Sequence, residues 1–194
     1  LQITPVKGLQ IKTLFAPNYD NYTIGQFDNT LVSDYDKNIA QLTKNQNFSY
    51  TWDNTITYSN TFAEKHSVNL LGLFSMAKYQ TNYNYLKYTG VMDGTLWYNL
   101  ASGTYDAGSS TTSYTENSMM SFALRANYSY AGKYMVTATV RADGSSKFAP
   151  GHKWGWFPSA AVAWRMSEES WMQEATWLTN LKWRLSYGIT GNNS

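Results

Sequence analysis

Between Tyr134 and Trp164 the chain alternates apolar and polar side chains with a period of two, a pattern that suits an extended backbone and not a helix. Tyr134, Val136, Ala138 and Val140 alternate with Met135, Thr137, Thr139 and Arg141. Residues two apart on a strand share a face. One face is therefore apolar, while the other ends in Arg141 and Asp143. A loop of Gly, Ser, Lys, Pro and His follows. In a second strand, Pro158, Ala160, Val162 and Trp164 alternate with Ser159, Ala161, Ala163 and Arg165. Phe148, Trp154, Trp156 and Phe157 gather at the loop end. A strand pair with one apolar face, one polar face and an aromatic collar meets the requirements of a transmembrane β-barrel hairpin.

The same period recurs along the chain. Strands are expected over Leu9–Phe15, Asn47–Ser59, Val68–Tyr79, Met120–Tyr128 and Leu181–Thr190, which with the hairpin makes about seven. Turns fall at Val6-Lys7-Gly8, within Asn60–His66 and at Ala131-Gly132-Lys133. Asn18–Asn45 and Thr81–Thr115, rich in Asn, Tyr, Thr, Gly and Ser, read as long polar loops. Met166–Asn180 reads as a short helical or irregular link. Leu71 and Leu73 stand on the face of their strand that is otherwise polar. Short connections on one side and long ones on the other are the up-and-down pattern of outer-membrane barrels. The fold class expected is all-β, an antiparallel up-and-down transmembrane β-barrel segment with long extracellular loops and short periplasmic turns.

Composition fits that solvent. Charged residues are 14% of the chain, against roughly 25% in typical globular proteins. Aromatics reach 16%, which excludes a disordered chain. A membrane helix needs about 20 consecutive apolar residues, and the apolar runs here are only a few residues long. The net charge of +2 is small and its cations are scattered, which argues against nucleic acid. No cysteine is present, so disulfides and thiolate metal sites are excluded. Leu1-Gln2-Ile3-Thr4-Pro5 lacks the basic and apolar regions of a signal peptide. The expectation is a start inside a larger protein or a removed leader.

The ordered motifs R-x-D-G-S-S-x-F from Arg141, W-G-x-F-P-S from Trp154, W-R-x-S-E-E from Trp164 and L-K-x-R-x-S-Y-G-x-T-G-N from Leu181 resemble the C-terminal half of the barrel in SusC/RagA-type TonB-dependent outer-membrane transporters. The resemblance covers Tyr128 to Asn193 well and the first hundred residues only in general style. It implies a 22-stranded barrel with a plugged lumen. Seven strands do not close a barrel, and open edges are not tolerated in lipid. Residues 1–194 are therefore expected to be one partial barrel domain, without the plug domain and the remaining strands.

The resemblance further implies import of glycans or peptides across the bacterial outer membrane, energised through the TonB complex, with a SusD-like surface lipoprotein as partner. Arg125, Arg141, Asp143, Arg165, Lys182 and Arg184 fall on polar faces. They are expected to line the lumen as cross-strand ion pairs or as contacts to the plug. Tyr83, Tyr85, Tyr88, Trp97, Tyr98 and Tyr105 sit among amides and glycines in the expected long loop. Aromatic faces beside hydrogen-bonding groups suit sugar rings or peptides, and Tyr88, Trp97, Tyr98 and Tyr105 are the candidate ligand contacts. Rim aromatics that only mark the membrane interface are the plainer alternative. No catalytic motif occurs, Glu168 and Glu169 would point apart on a strand, and His66 and His152 lack carboxylates at ligand spacing. No enzyme, metal or cofactor is expected. A soluble β-sandwich carbohydrate-binding module is the competing function, with the aromatics as its sugar platform.

Overall fold

The computed structural model describes residues 1–31, 34–172 and 177–191. Nine strands occur among them: β1 (Gln2–Val6), β2 (Leu9–Asp28), β3 (Ile39–Phe62), β4 (His66–Thr89), β5 (Thr104–Tyr105), β6 (Thr111–Tyr130), β7 (Tyr134–Ser145), β8 (Trp154–Arg165) and β9 (Lys182–Gly188). All nine lie in one sheet of order β1-β2-β3-β4-β6-β7-β8-β9, with β5 paired to β4 off that path. Apart from the two-residue β5, sequence neighbours are sheet neighbours, the meander expected of an up-and-down barrel. The sheet is open, with β1 and β9 at its ends. All seven expected strands are present. The short β1 and β5 bring the number to nine.

Two expected loops are corrected. Residues 18–28 belong to β2 and 39–45 to β3, and of Thr81–Thr115 only 90–103 and 106–110 remain outside strands. These segments are polar on both faces, so the hydrophobic alternation that reveals a strand is absent while the backbone ladder continues. Cross-strand side-chain bonds replace it. Asn45 donates to the Tyr22 hydroxyl at 3.2 Å and Asn47 to Asp20 at 3.3 Å, while Thr81 donates to Asn47 at 2.9 Å. At 24 residues each, β3 and β4 are more than twice the roughly 9–11 residues with which a tilted strand crosses a bilayer.

Contacts divide the chain into two compact units. One comprises Leu1–Ala16, Thr51–Ala77 and Ser118–Ser194, the other Pro17–Tyr50 and Lys78–Asn117. In the first, register sets the faces. Ala126, Ala138, Ala160 and Tyr187 stand directly opposite one another across β6 to β9, as do Arg125 and Thr139, and Arg165 and Lys182. One face therefore carries Leu124, Val136, Val140, Val162 and Leu185, with no charge on β6 to β9 from Ser118 onward. Two aromatic rows bound it. Trp52, Phe74, Phe122 and Trp154 follow one another at centroid spacings of 5.9, 5.2 and 5.9 Å. His66, Tyr130, Tyr134 and Trp164 follow at 5.0, 6.4 and 6.3 Å, with Trp183 opposite Trp164. From Phe122 to Tyr130 the rows are eight residues apart on β6, about 27 Å along the strand, or roughly 20 Å of depth at the usual barrel tilt.

The tight turns also follow expectation. Lys133 N–H donates to the Tyr130 carbonyl at 2.9 Å, and Ala131 and Gly132 take φ of 50° and 68°, the left-handed pair of a two-residue hairpin turn. Ala63 and Glu64 do the same at 46° and 58° without a glycine. The link after β8 contains two 3-10 turns, Met166–Glu168 and Ser170–Met172. Residues 173–176 of that link, and Asn192 at the end of the last motif with the two residues after it, lie outside the described residues.

Little is buried. Ile39, Ala40, Ala77, Val91 and Ala142 are the buried apolar side chains among the described residues, and 13340 Å² of surface is exposed. A compact monomer of 22.0 kDa would expose about 9,300 Å². A β-sandwich covers the inner face of one sheet with another. A single sheet with both faces open does not build that core, which removes the competing sandwich reading.

Candidate functional site

Two groups of side chains carry the chemistry, one in each unit. In the second unit the segment from Gly90 to Ser110 is tied down by its own polar groups. Asn38, just before β3, accepts the Thr30 N–H at 3.0 Å and donates to the Val91 carbonyl at 3.0 Å and to Asp93 at 2.7 Å. Its own carbonyl accepts the Gly90 N–H at 2.8 Å. At the other end Asp106 pairs with Lys87 at 3.6 Å and accepts the Ser109 N–H at 3.1 Å. The Ser109 bonds, ahead of the Lys87 charge, hold the Asp106 carboxyl below its ordinary value.

Trp97 lies on the backbone of Gly25. A Cβ added there would meet the indole at 2.0–2.3 Å, so only glycine permits this approach. Trp97 also packs on Tyr98 at 4.4 Å between ring centroids. Trp97 is half-buried, whereas Tyr98 is 72% exposed. Tyr88 and Tyr105 face each other across the β4–β5 pair, their rings 5.4 Å apart. The expectation of one aromatic loop is thus corrected: Tyr83, Tyr85 and Tyr88 are on β4 and Tyr105 on β5, and only Trp97 and Tyr98 are in the loop. The four candidates are brought together two by two. The Tyr85 hydroxyl is spent on Gln41 at 2.7 Å.

In the first unit, Arg125, Arg141, Asp143, Arg165 and Arg184 share the face opposite the apolar one, as the alternation implies. Arg141 Nε reaches both Asp143 oxygens at 2.9 and 2.7 Å, and its Nη2 donates to Ser121 at 3.1 Å. Arg125 donates to Thr139 at 3.3 Å. Asn127 joins β4 and β7, donating to Asn69 at 3.1 Å and accepting from Thr137 at 2.9 Å. Asp53 accepts from Ser75. Ser121, Asn69, Asn127 and Asp53 were not singled out in the sequence, although the parity that selected Arg125 applies to them equally. A cavity of about 420 Å³ opens beside Arg141 and Asp143, lined also by Phe148, His152 and Phe157.

Glu169 has a structural partner set. It accepts from the Tyr134 hydroxyl at 2.6 Å, Trp164 Nε1 at 3.0 Å and Lys133 at 3.4 Å. The Tyr134 bond first, then that of Trp164, holds its carboxyl below the ordinary range. His66 is likewise engaged, at 2.8 Å from the Tyr128 hydroxyl.

The family model described as TonB dependent receptor-like, beta-barrel, matches residues 6–192. The chain belongs to that family. Among curated members of this TonB-dependent receptor family, TonB-dependent receptor P3 of Formosa agariphila is 32% identical over 97% of the chain and 19% of its own length. TonB-dependent receptor SusC of Bacteroides thetaiotaomicron is 42% identical over 41% of the chain and 8% of its own length. A solved structure of the RagAB peptide transporter superposes with a TM-score of 0.84 at 25% identity, covering 98% of the chain and 22% of that structure. The chain thus spans about a fifth of the length of the receptors it matches most fully. The resemblance to SusC and RagA read from the motifs stands, as does the antiparallel barrel-type sheet.

Proposed function

We propose that residues 1–194 are part of the barrel of an outer-membrane, TonB-dependent importer of oligomeric nutrients, glycans or peptides. One observation carries the reading. A charge-free face bounded by two aromatic rows about 20 Å apart in depth is built to sit in hydrocarbon, and its reverse face is polar. The polar face would line the lumen, and Arg125, Arg141, Asp143, Arg165 and Arg184 would stand there against solute or against a plug formed by other residues of the receptor. Family membership supports TonB as the energy source. The likeness to SusC and to RagAB supports a SusD-like surface lipoprotein as partner. RagAB is a peptide transporter, and both ligand classes stand.

Among the aromatics, Tyr98 and Tyr105 are the ligand contacts this reading favours, because their rings are exposed. Trp97 and Tyr88 would hold them in place. Fractionation of cells expressing the full-length receptor tests the reading: a heat-modifiable band in the outer membrane is expected, and a protein found in the soluble fraction without detergent would refute it.

A further inference from the structure

Four cations have a carboxylate among the described residues. Lys78 pairs with Glu116 at 2.9 Å, Lys87 with Asp106, Lys133 with Glu169 and Arg141 with Asp143. Arg165, Lys182 and Arg184 do not: among the described residues no carboxylate oxygen lies within ion-pair distance of any of them. Arg165 stands directly opposite Lys182, and Arg184 is two residues along the same face. Like charges directly opposite on neighbouring strands repel. The nearest described acids offer no relief. Glu169 is committed to Tyr134, Trp164 and Lys133, and Glu168 is exposed on the 3-10 turn. Among the described residues Lys182 Nζ bonds only the Met135 sulfur, at 3.3 Å, a weak acceptor.

We propose that Arg165, Lys182 and Arg184 form a binding site for a carboxylate on the polar face of the sheet. Two guanidinium forks flanking an ammonium can hold both oxygens of a planar carboxylate and add a point charge. Phosphates of membrane lipids are excluded as occupants, because the rung Trp164–Trp183, which lies between Arg165–Lys182 and Arg184, puts its indoles on the opposite, lipid-side face. The carboxylate belongs either to an acidic oligomer in transit or to another segment of the receptor's own chain. The proposal rests on the polar face being the lumen wall.

Carbodiimide coupling tests it, since it joins Lys182 to any carboxylate in contact. The full-length receptor in outer-membrane vesicles is treated alone and with tetraglutamate or tetragalacturonate, with tetraalanine as the neutral control, and the products are mapped by mass spectrometry. Coupling of Lys182 to an added acidic oligomer assigns the site to cargo. Coupling to an Asp or Glu of the receptor outside residues 166–194 assigns it to an internal segment. In either case Arg165→Gln with Arg184→Gln should lower the yield about tenfold, the loss expected for charge-assisted hydrogen bonds, in a variant that still shows the heat-modifiable band. Coupling only to Glu168, Glu169 or Glu174, no coupling, or a yield unchanged by the substitutions would overturn the proposal. Failure of the receptor to reach the outer membrane would refute the lumen reading instead.

Discussion

The two halves of β3 have the same backbone and opposite side-chain logic. From Trp52 onward Trp52, Ile56 and Tyr58 alternate with Asp53, Thr55 and Thr57, and Asp53 is satisfied by Ser75 on the neighbouring strand. From Ile39 to Tyr50 the alternation dissolves into Gln, Thr, Lys and Asn, and the side chains bond across strands, Gln41 to Asp28 and Asn45 to Tyr22. One unit has an apolar and a polar face. The other is polar on both. A β-ladder needs only its backbone partners, so hydrophobic periodicity reports the solvent a strand meets and not its existence.

The largest test of that contrast is a charge placed on each unit. Leu124→Arg, on the apolar face between the aromatic rows, is expected to destabilise the full-length receptor by about 2–4 kcal/mol in denaturant titrations in lipid vesicles. Ser113→Arg, exposed on the polar stretch of β6, is expected to stay within about 0.5 kcal/mol. Equal effects would break the distinction between the units.

A smaller effect separates the anchor from the display within the loop. Gly25→Leu or Trp97→Ala is expected to loosen the segment 90–110, read as faster proteolysis there. Tyr98→Ala is expected to leave proteolysis unchanged and to weaken ligand binding alone. Identical behaviour of Trp97→Ala and Tyr98→Ala would show that the indole is not a prop.

Two carboxylates sharpen the comparison by pH. Glu169 and Asp106 both have depressed folded values. Each contribution is therefore complete above the ordinary carboxylate range of about 3.9–4.3 and lost as pH falls through the folded value. Amide exchange is expected to rise below that range at Lys133 and Arg165 in one unit and at Ser109 in the other. In Glu169→Gln the first response should disappear and the second persist. The smallest expected change is at the exposed pair Lys78–Glu116, where Lys78→Gln should leave the unfolding midpoint unaltered, as exposed ion pairs contribute little.

What could be read in advance follows the same division. The strands β6 to β9, the Ala131-Gly132 turn and the shared face of Arg125, Arg141, Asp143, Arg165 and Arg184 were legible because one apolar and one polar face impose parity on every strand. The strand identity of residues 18–28 and 81–89 was not legible: Asn, Tyr and Thr alternate with one another without changing hydrophobicity, and their pairing is set by partners far along the chain. Trp97 was legible as an aromatic in a polar segment, but not as a prop, because its partner Gly25 is 72 residues away in the sequence and says nothing of an indole.

By itself the sequence determined which face is apolar, which is polar and where the tight turns fall, since those depend on a residue and its neighbours two places away. The tertiary structure alone decided which polar groups are spent and which are left over. Glu169 could have served Arg165 as readily as Lys133, and the fold gave it to Lys133, Tyr134 and Trp164. That choice is a matter of distance across strands, and among the described residues it leaves Arg165, Lys182 and Arg184 without a carboxylate.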